Sequence, residues 1–172
     1  TPGFSGDGGL AGNSELYWPY AIDIGNDGDL YFVDYENYRI RKINSKGIIT
    51  TVAGNGVNDY SAEQGPATQS SIGHILDLKV ANDGSLYLVE DLRGADNSRI
   101  SKVYPNGIWK HIAGDRRCEF NGDNRPALVT DLCVNSIALA ENGDLYFADS
   151  NNARIRAIKF SSIGSQLSEE SY

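Results

Sequence analysis

Two cysteines, two histidines and a few glycine-flanked acidic residues are the side chains of this 172-residue sequence best suited to chemistry. Cys118 and Cys133 lie 15 residues apart in a segment rich in turn formers. An even count in such a setting predicts one disulfide. In the chain-entropy view, closing that loop stabilises by about 3 kcal/mol, and the bridge implies an oxidising compartment. No Cys-x-x-Cys motif accompanies them, so a thiol redox site is not expected. His74 and His111 are the only histidines. A catalytic zinc site takes two or three His, or His with carboxylates, and nothing in the spacing pairs these two. Both read as structural. Asp7, among Gly6, Gly8 and Gly9, and Asp123, between Asn121 and Asn124, set oxygen ligands in flexible turns. Calcium takes six to eight oxygens, so these two are the metal candidates. The alternating Asp/Asn spacing of a dedicated calcium loop is missing. The competing reading is tight turns in which Asp7 bonds backbone amides. Neither a Gly-x-Ser-x-Gly elbow nor a phosphate loop occurs, and no Asn-x-Ser/Thr sequon is present. No catalytic residue is assigned, and no cofactor other than possible calcium.

The elements that would carry these residues follow from a repeat. Asn26-Asp27-Gly28-Asp29-Leu30-Tyr31-Phe32 returns as residues 82–88 and 141–147, with the tyrosines Tyr31, Tyr87 and Tyr146 spaced 56 and 59 apart. Arg39-Ile40, Arg99-Ile100 and Arg154-Ile155 recur in phase, and Ala53-Gly54 and Ala113-Gly114 close two repeats. Each repeat reads as four short strands. The first covers 21–24, 77–80 or 136–139, and the second 30–33, 86–89 or 145–148. The third covers 39–43, 99–103 or 154–158, and the fourth 48–52 or 108–112. The Asn/Asp-Gly turn between the first two suits a tight hairpin with both central residues at positive φ. No helical period emerges. Asp34 and Asp149 end their second strands, with Glu90 in that place in the second repeat. They are expected to cap the following turn and to pair with Arg39, Arg154 and Arg99. Tyr31, Tyr87 and Tyr146 are expected to pack between repeats. Trp18 and Tyr20 are expected to pack at the blade end, with partner contact as the alternative. Tyr35 and Tyr38, in loops, complete the candidate partner contacts, with Tyr60 in a loop and Trp109 on an outer strand.

A four-stranded antiparallel unit cannot bury both faces alone, and radial packing of such units solves that as a β-propeller. The expected class is therefore all-β: a β-propeller of four-stranded antiparallel blades, about three present. Repeat one covers 1–54, repeat two 55–114, and repeat three 115–160 without a clear outer strand. A polar tail spans 161–172, or contributes a degenerate strand at 164–167. Gly3-Phe4-Ser5-Gly6-Asp7-Gly8-Gly9-Leu10-Ala11, Trp18-Pro19, residues 26–34, Asn37-Tyr38-Arg39-Ile40-Arg41-Lys42-Ile43 and 47–54 together resemble one full NHL repeat. The long form with its Gly-Asp-Gly-Gly loop resembles the repeats of teneurin-type extracellular propellers and bacterial secreted NHL proteins. Residues 60–67 replace that loop in repeat two. Propellers of this family close with about six blades. About three imply a segment of a larger propeller, or arcs that pair.

Composition bounds the function. Fifteen Lys+Arg against 23 Asp+Glu give a net charge of −8, which argues against unaided nucleic-acid binding. Apolar residues make up 40% of the chain, too many for a disordered one. No apolar run reaches the length of a membrane span. The sequence lacks an initiator Met and reads as a processed product or a piece of something longer. What the resemblance implies is a non-enzymatic extracellular or cell-surface module for protein recognition or assembly. It would bind a protein partner or self-associate through blade edges. The alternatives are a subunit of a filamentous assembly and a metal-dependent enzyme using the central channel.

Overall fold

Among the described residues of a computed structural model, thirteen strands form three antiparallel sheets, two of them meanders of sequence neighbours and the middle one a meander whose last strand also pairs with the sheet's first. Residues 2–60, 64–92, 97–115, 117–160 and the backbone of 167–171 are described. Blade one is β1 (Pro19–Ile24), β2 (Leu30–Asp34), β3 (Arg39–Ile43) and β4 (Ile49–Ala53). Blade two adds β5 (Gln64–Pro66) to β6 (His74–Val80), β7 (Leu86–Asp91), β8 (Ser98–Val103) and β9 (Ile108–Ala113). Blade three is β10 (Val134–Leu139), β11 (Leu145–Asp149), β12 (Arg154–Phe160) and β13 (Leu167–Ser171). The inner strands β1, β6 and β10 stand side by side around one axis. The chain is thus an arc of a β-propeller.

Three expectations change. The tail does not leave the sheet, since Leu167–Ser171 pairs with β12 as a fourth strand, Phe160 opposite Leu167. An outermost strand needs backbone pairing more than apolar side chains, so a Ser/Glu sequence gave no sign of it. Residues 164–166 of the suggested degenerate strand lie outside the described residues. The first hairpin turns do not have two central residues at positive φ. Only the glycine does: Gly28 (φ 79°), Gly84 (φ 80°) and Gly143 (φ 89°). The Asp27, Asp83 and Asn142 side chains instead accept the N–H two residues on, which holds a tighter right-handed turn before the glycine. Trp109 is not a surface aromatic but wholly buried in the core between blades one and two.

The recurring Ala-Gly is explained by the passage between blades. Gly54 and Gly114 sit at φ 88° and 101°, and their N–H groups donate to Ala67 and Ala127 of the next blade's leading loop. A Cβ at Gly54 would stand 2.2 Å from the Tyr38 carbonyl oxygen, so only glycine fits.

Adjacent blades bury one face each. The trailing face of blade one (Tyr31, Val33, Ile40, Ala53) meets the leading face of blade two (Ile75, Leu78, Leu88, Trp109). Tyr87, Val89 and Ile100 meet Val134, Ile137 and Phe147 in the same way. Tyr31 and Tyr87 therefore pack between repeats, whereas Tyr146, on the trailing face of blade three, lies in neither of these clusters. A polar link runs along the inner strands: the Asp23 carboxylate accepts the Val80 N–H (2.8 Å), and that of Asp77 accepts the Ile137 N–H (2.9 Å) and the Ser136 hydroxyl.

Because Ile22, Leu78 and Ile137 hold one repeat position, they offer a controlled comparison. At dilution low enough to keep the chain monomeric, Ile137→Ala is expected to cost about 2–4 kcal/mol in urea unfolding, whereas Ile22→Ala, on an exposed face, costs under about 0.5 kcal/mol. Equal losses would contradict the assignment of faces.

Candidate functional site

Each blade is closed by a buried carboxylate at the end of its second strand. In blade one, Asp34 Oδ1 accepts the Tyr17 N–H (2.8 Å) and Asn37 Nδ2 (2.9 Å), and Oδ2 accepts Arg41 Nη1 (3.1 Å). Arg41 Nη2 goes on to the Ser5 carbonyl and to Asp7 Oδ1, both at 3.0 Å. Blade three repeats this. Asp149 accepts the Cys133 N–H, Asn152 Nδ2 and Arg156 Nη1, and Arg156 Nη2 donates to the Gly122 carbonyl. An aromatic ring from the leading loop lies over the guanidinium groups: Phe4 3.7 Å from Arg39, Phe120 3.6 Å from Arg154.

The arginine expected to pair is thus the wrong one in two blades. Arg39 and Arg154 stand directly opposite Asp34 and Asp149 in the ladder. Yet they donate to backbone carbonyls, Arg39 to Asn37 and Asn55, and Arg154 to Asn152. The aspartates are reached from the same face two residues on, by Arg41 and Arg156. Blade two has Ser101 at that place, and there Arg99 does pair, holding Glu90 through Nε (2.7 Å) and Nη2 (2.8 Å). The longer glutamate meets the arginine directly opposite. Ser101 donates its hydroxyl to the same carboxylate. The signal was present in the sequence as Arg-x-Arg in repeats one and three against Arg-x-Ser in repeat two.

The calcium candidates are drawn into these clusters. Asp7 is shared by Arg41 and the Thr51 hydroxyl (2.7 Å), and Asp123 lies 3.3 Å from Arg156 Nε. Both carboxylates therefore face a cation already supplied by the chain. Among the described residues no three His, Cys, Asp or Glu side chains converge as a metal site. Cys118 and Cys133 form a disulfide, with Cα atoms 4.9 Å apart. It ties the leading loop of blade three to the start of β10. His111 contacts the Gly114 carbonyl through Nε2 (2.8 Å), and His74 stacks on Tyr35 with centroids 4.3 Å apart.

That stack anchors an aromatic patch on the surface. Trp18 and Tyr20 approach Tyr35 with centroid distances of 6.1 and 5.7 Å, and Tyr38 stands 5.1 Å from His74. The four candidate contact residues are therefore brought together at the junction of blades one and two. Burial, then the nearby Asp91 and Glu36 carboxylates, raise the Tyr35 phenol above its ordinary value. Sequence reasoning missed His74 and Asp91 as members of this group, since they arrive from the neighbouring blade.

The arc also leaves two faces open. Ile22 and Ile24 on the leading face of blade one are 60% and 65% exposed, whereas Leu78 and Ile137 at the position of Ile22 are 0% and 3% exposed. On the trailing face of blade three Ile155 is 49% exposed, while its counterparts Ile40 and Ile100 are fully buried. Outer edges are not what is open in blades one and two. The N–H groups of Gly8 and Ala11 and the Gly9 carbonyl bond the stretch 47–49, and β5 pairs with β9. The surfaces left for self-association are faces rather than those edges.

A Teneurin NHL domain family model matches residues 2–79. Teneurin-1 of Homo sapiens is 30% identical over 168 residues, and Teneurin-m of Drosophila melanogaster 28% over 162. Each alignment covers 90% of this chain and 6% of the relative, so the chain spans a small part of those proteins. A solved streptogramin B lyase superposes with a TM-score of 0.55 at 19% identity, covering 90% of this chain and 40% of that one. At that identity the likeness concerns the fold alone. No helix among the described residues is long and apolar enough to cross a membrane.

Two measurements probe the blade clusters. Asp34→Ala leaves buried Arg41 to the Asp7 carboxylate and the Ser5 carbonyl, and the Tyr17 N–H without its acceptor, and is expected to cost about 3 kcal/mol in denaturant unfolding. Arg39→Lys keeps a donor near its carbonyls and should cost clearly less. Reducing Cys118–Cys133 should lower stability by about 3 kcal/mol. A transition unchanged by reductant would show that the loop needs no tether.

Proposed function

This chain is an NHL-repeat protein, and we propose that it is a non-enzymatic extracellular recognition and assembly module whose partner docks against the open faces of the arc. One observation carries the reading. The exposed residues Ile22 and Ile155 hold positions that are buried between blades elsewhere in the same chain, at Leu78 and Ile137 and at Ile40 and Ile100, and exposed Ile24 holds one that is partly buried, at Val80 and Leu139. A partner presenting Tyr, Val or Ala, and Ile at trailing-face positions would pack on blade one as blade one packs on blade two. A second copy of this chain, arranged head to tail, meets that requirement. The non-enzymatic part is supported by the use of the two histidines, one in an aromatic stack and one on a backbone carbonyl. The extracellular setting is supported by the disulfide and by the teneurin relatives.

A filament subunit is the second reading. The same head-to-tail contact is heterologous, so it closes into a ring only if the rotation fits and otherwise propagates.

Light scattering on the unreduced chain tests both. A discrete particle larger than one chain is expected, reverting to one chain mass in Ile22→Glu. A mass rising with concentration without limit would favour the filament. A wild-type chain that stays folded and monomeric, or a particle unaffected by Ile22→Glu, would overturn the docking of faces.

A further inference from the structure

We propose that the aromatic patch at the junction of blades one and two is a receptor for a cationic side chain, arginine or lysine, carried by a partner polypeptide. It rests on the protein-recognition reading above and adds a second surface and the chemistry of its ligand. Trp18, Tyr20 and Tyr35 are grouped within about ring-contact distance, and Trp18 is 64% exposed. Such exposure of a large ring is unusual on a surface that needs no partner. Packing inside the arc does not account for it. Trp18 holds the repeat position of His74, which reaches back to stack on the preceding blade. Trp18 instead sits at φ 56°, a costly conformation for a bulky residue, with its ring beside Tyr35 of its own blade.

Charge identifies the occupant. Glu36 follows Tyr35 in the chain, and Asp91 stands directly opposite His74 in the β6–β7 ladder. Neither carboxylate is in an ion pair with a Lys or Arg of the described residues. The field of both reaches Tyr35, as its raised phenol pKa reflects after burial. Ring faces carry negative potential, so three rings beside two carboxylates that no described Lys or Arg neutralises favour a cation over a neutral or anionic group. Arg39 and Arg154 lie over Phe4 and Phe120 in the same manner within the blades. Asp91 also lines an adjoining cleft of about 280 Å³ with Leu76, Ser98, Asn135 and Asn151, where amide side chains can meet the backbone that bears the cation.

The probe is the tripeptide acetyl-Gly-Arg-Gly-amide against its citrulline counterpart, which keeps the shape and loses the charge. Titration into the 15N-labelled chain is followed at the two tryptophan indole signals. Trp18 is the reporter, and buried Trp109 is the control for folding. The arginine peptide is expected to shift the Trp18 signal saturably in the millimolar range, with the citrulline peptide about tenfold weaker. Asp91→Asn should weaken arginine binding about threefold or more, and Tyr35→Leu should abolish it, with the Trp109 signal in place. Equal responses to both peptides, or none, would overturn the proposal. So would saturation by an uncharged oligosaccharide at the same site, which would make the patch a sugar platform. If the arginine response fails while the larger particle seen by light scattering persists, only this inference falls.

Discussion

The buried carboxylate–arginine pair at the closed end of each blade is the constraint from which the rest of the arc is built. Taking two charges out of water costs several kcal/mol per ion, and only full hydrogen bonding offsets it. Asp34 meets that condition with three donors, and Arg41 meets most of it, its two Nη groups serving two carboxylates and a carbonyl while its buried Nε stays unpaired. These bonds join the end of β2, the middle of β3, the approach to β1 and the leading loop. They also give Asp7 and Asp123 their partners, which is why loops rich in oxygen ligands serve as cation seats for arginine.

Around that constraint the blades repeat, and the departures from repetition mark what differs between them. Trp18, His74 and Cys133 stand at one repeat position at the entry to the inner strand. The histidine joins two blades by stacking, the cysteine fixes a loop covalently, and the tryptophan faces solvent. A position with three chemistries is not under the packing demand that keeps Tyr31 and Tyr87 identical. The surface features of this chain lie there rather than on its invariant residues.

Much of this was legible in the sequence. The in-phase tyrosines, Asn/Asp-Gly turns and Ala-Gly closures report backbone geometry and buried faces, and both recur with the blade. The exchange of Arg39 for Arg41 was not legible from strand pairing, because Asp34 can reach either residue on its face and local carbonyls decide between them. The Leu167–Ser171 strand was hidden because an outermost strand demands little of its side chains. The grouping of His74 and Asp91 with Tyr35 was hidden because it depends on how two blades abut. Spacing along one chain carries no such information.

The inner-strand carboxylates have a direction. Asp23 reaches forward to blade two, and Asp77 forward to blade three, each holding an amide of the next inner strand. Blade three has Ser136 and Ala138 at the two corresponding places. The relay therefore ends with it, and the last face of the arc offers apolar contact without a carboxylate latch. If the arc closes into the proposed ring or stack, the seam falls at that face, where parting breaks no carboxylate–amide bond from this chain's inner strand.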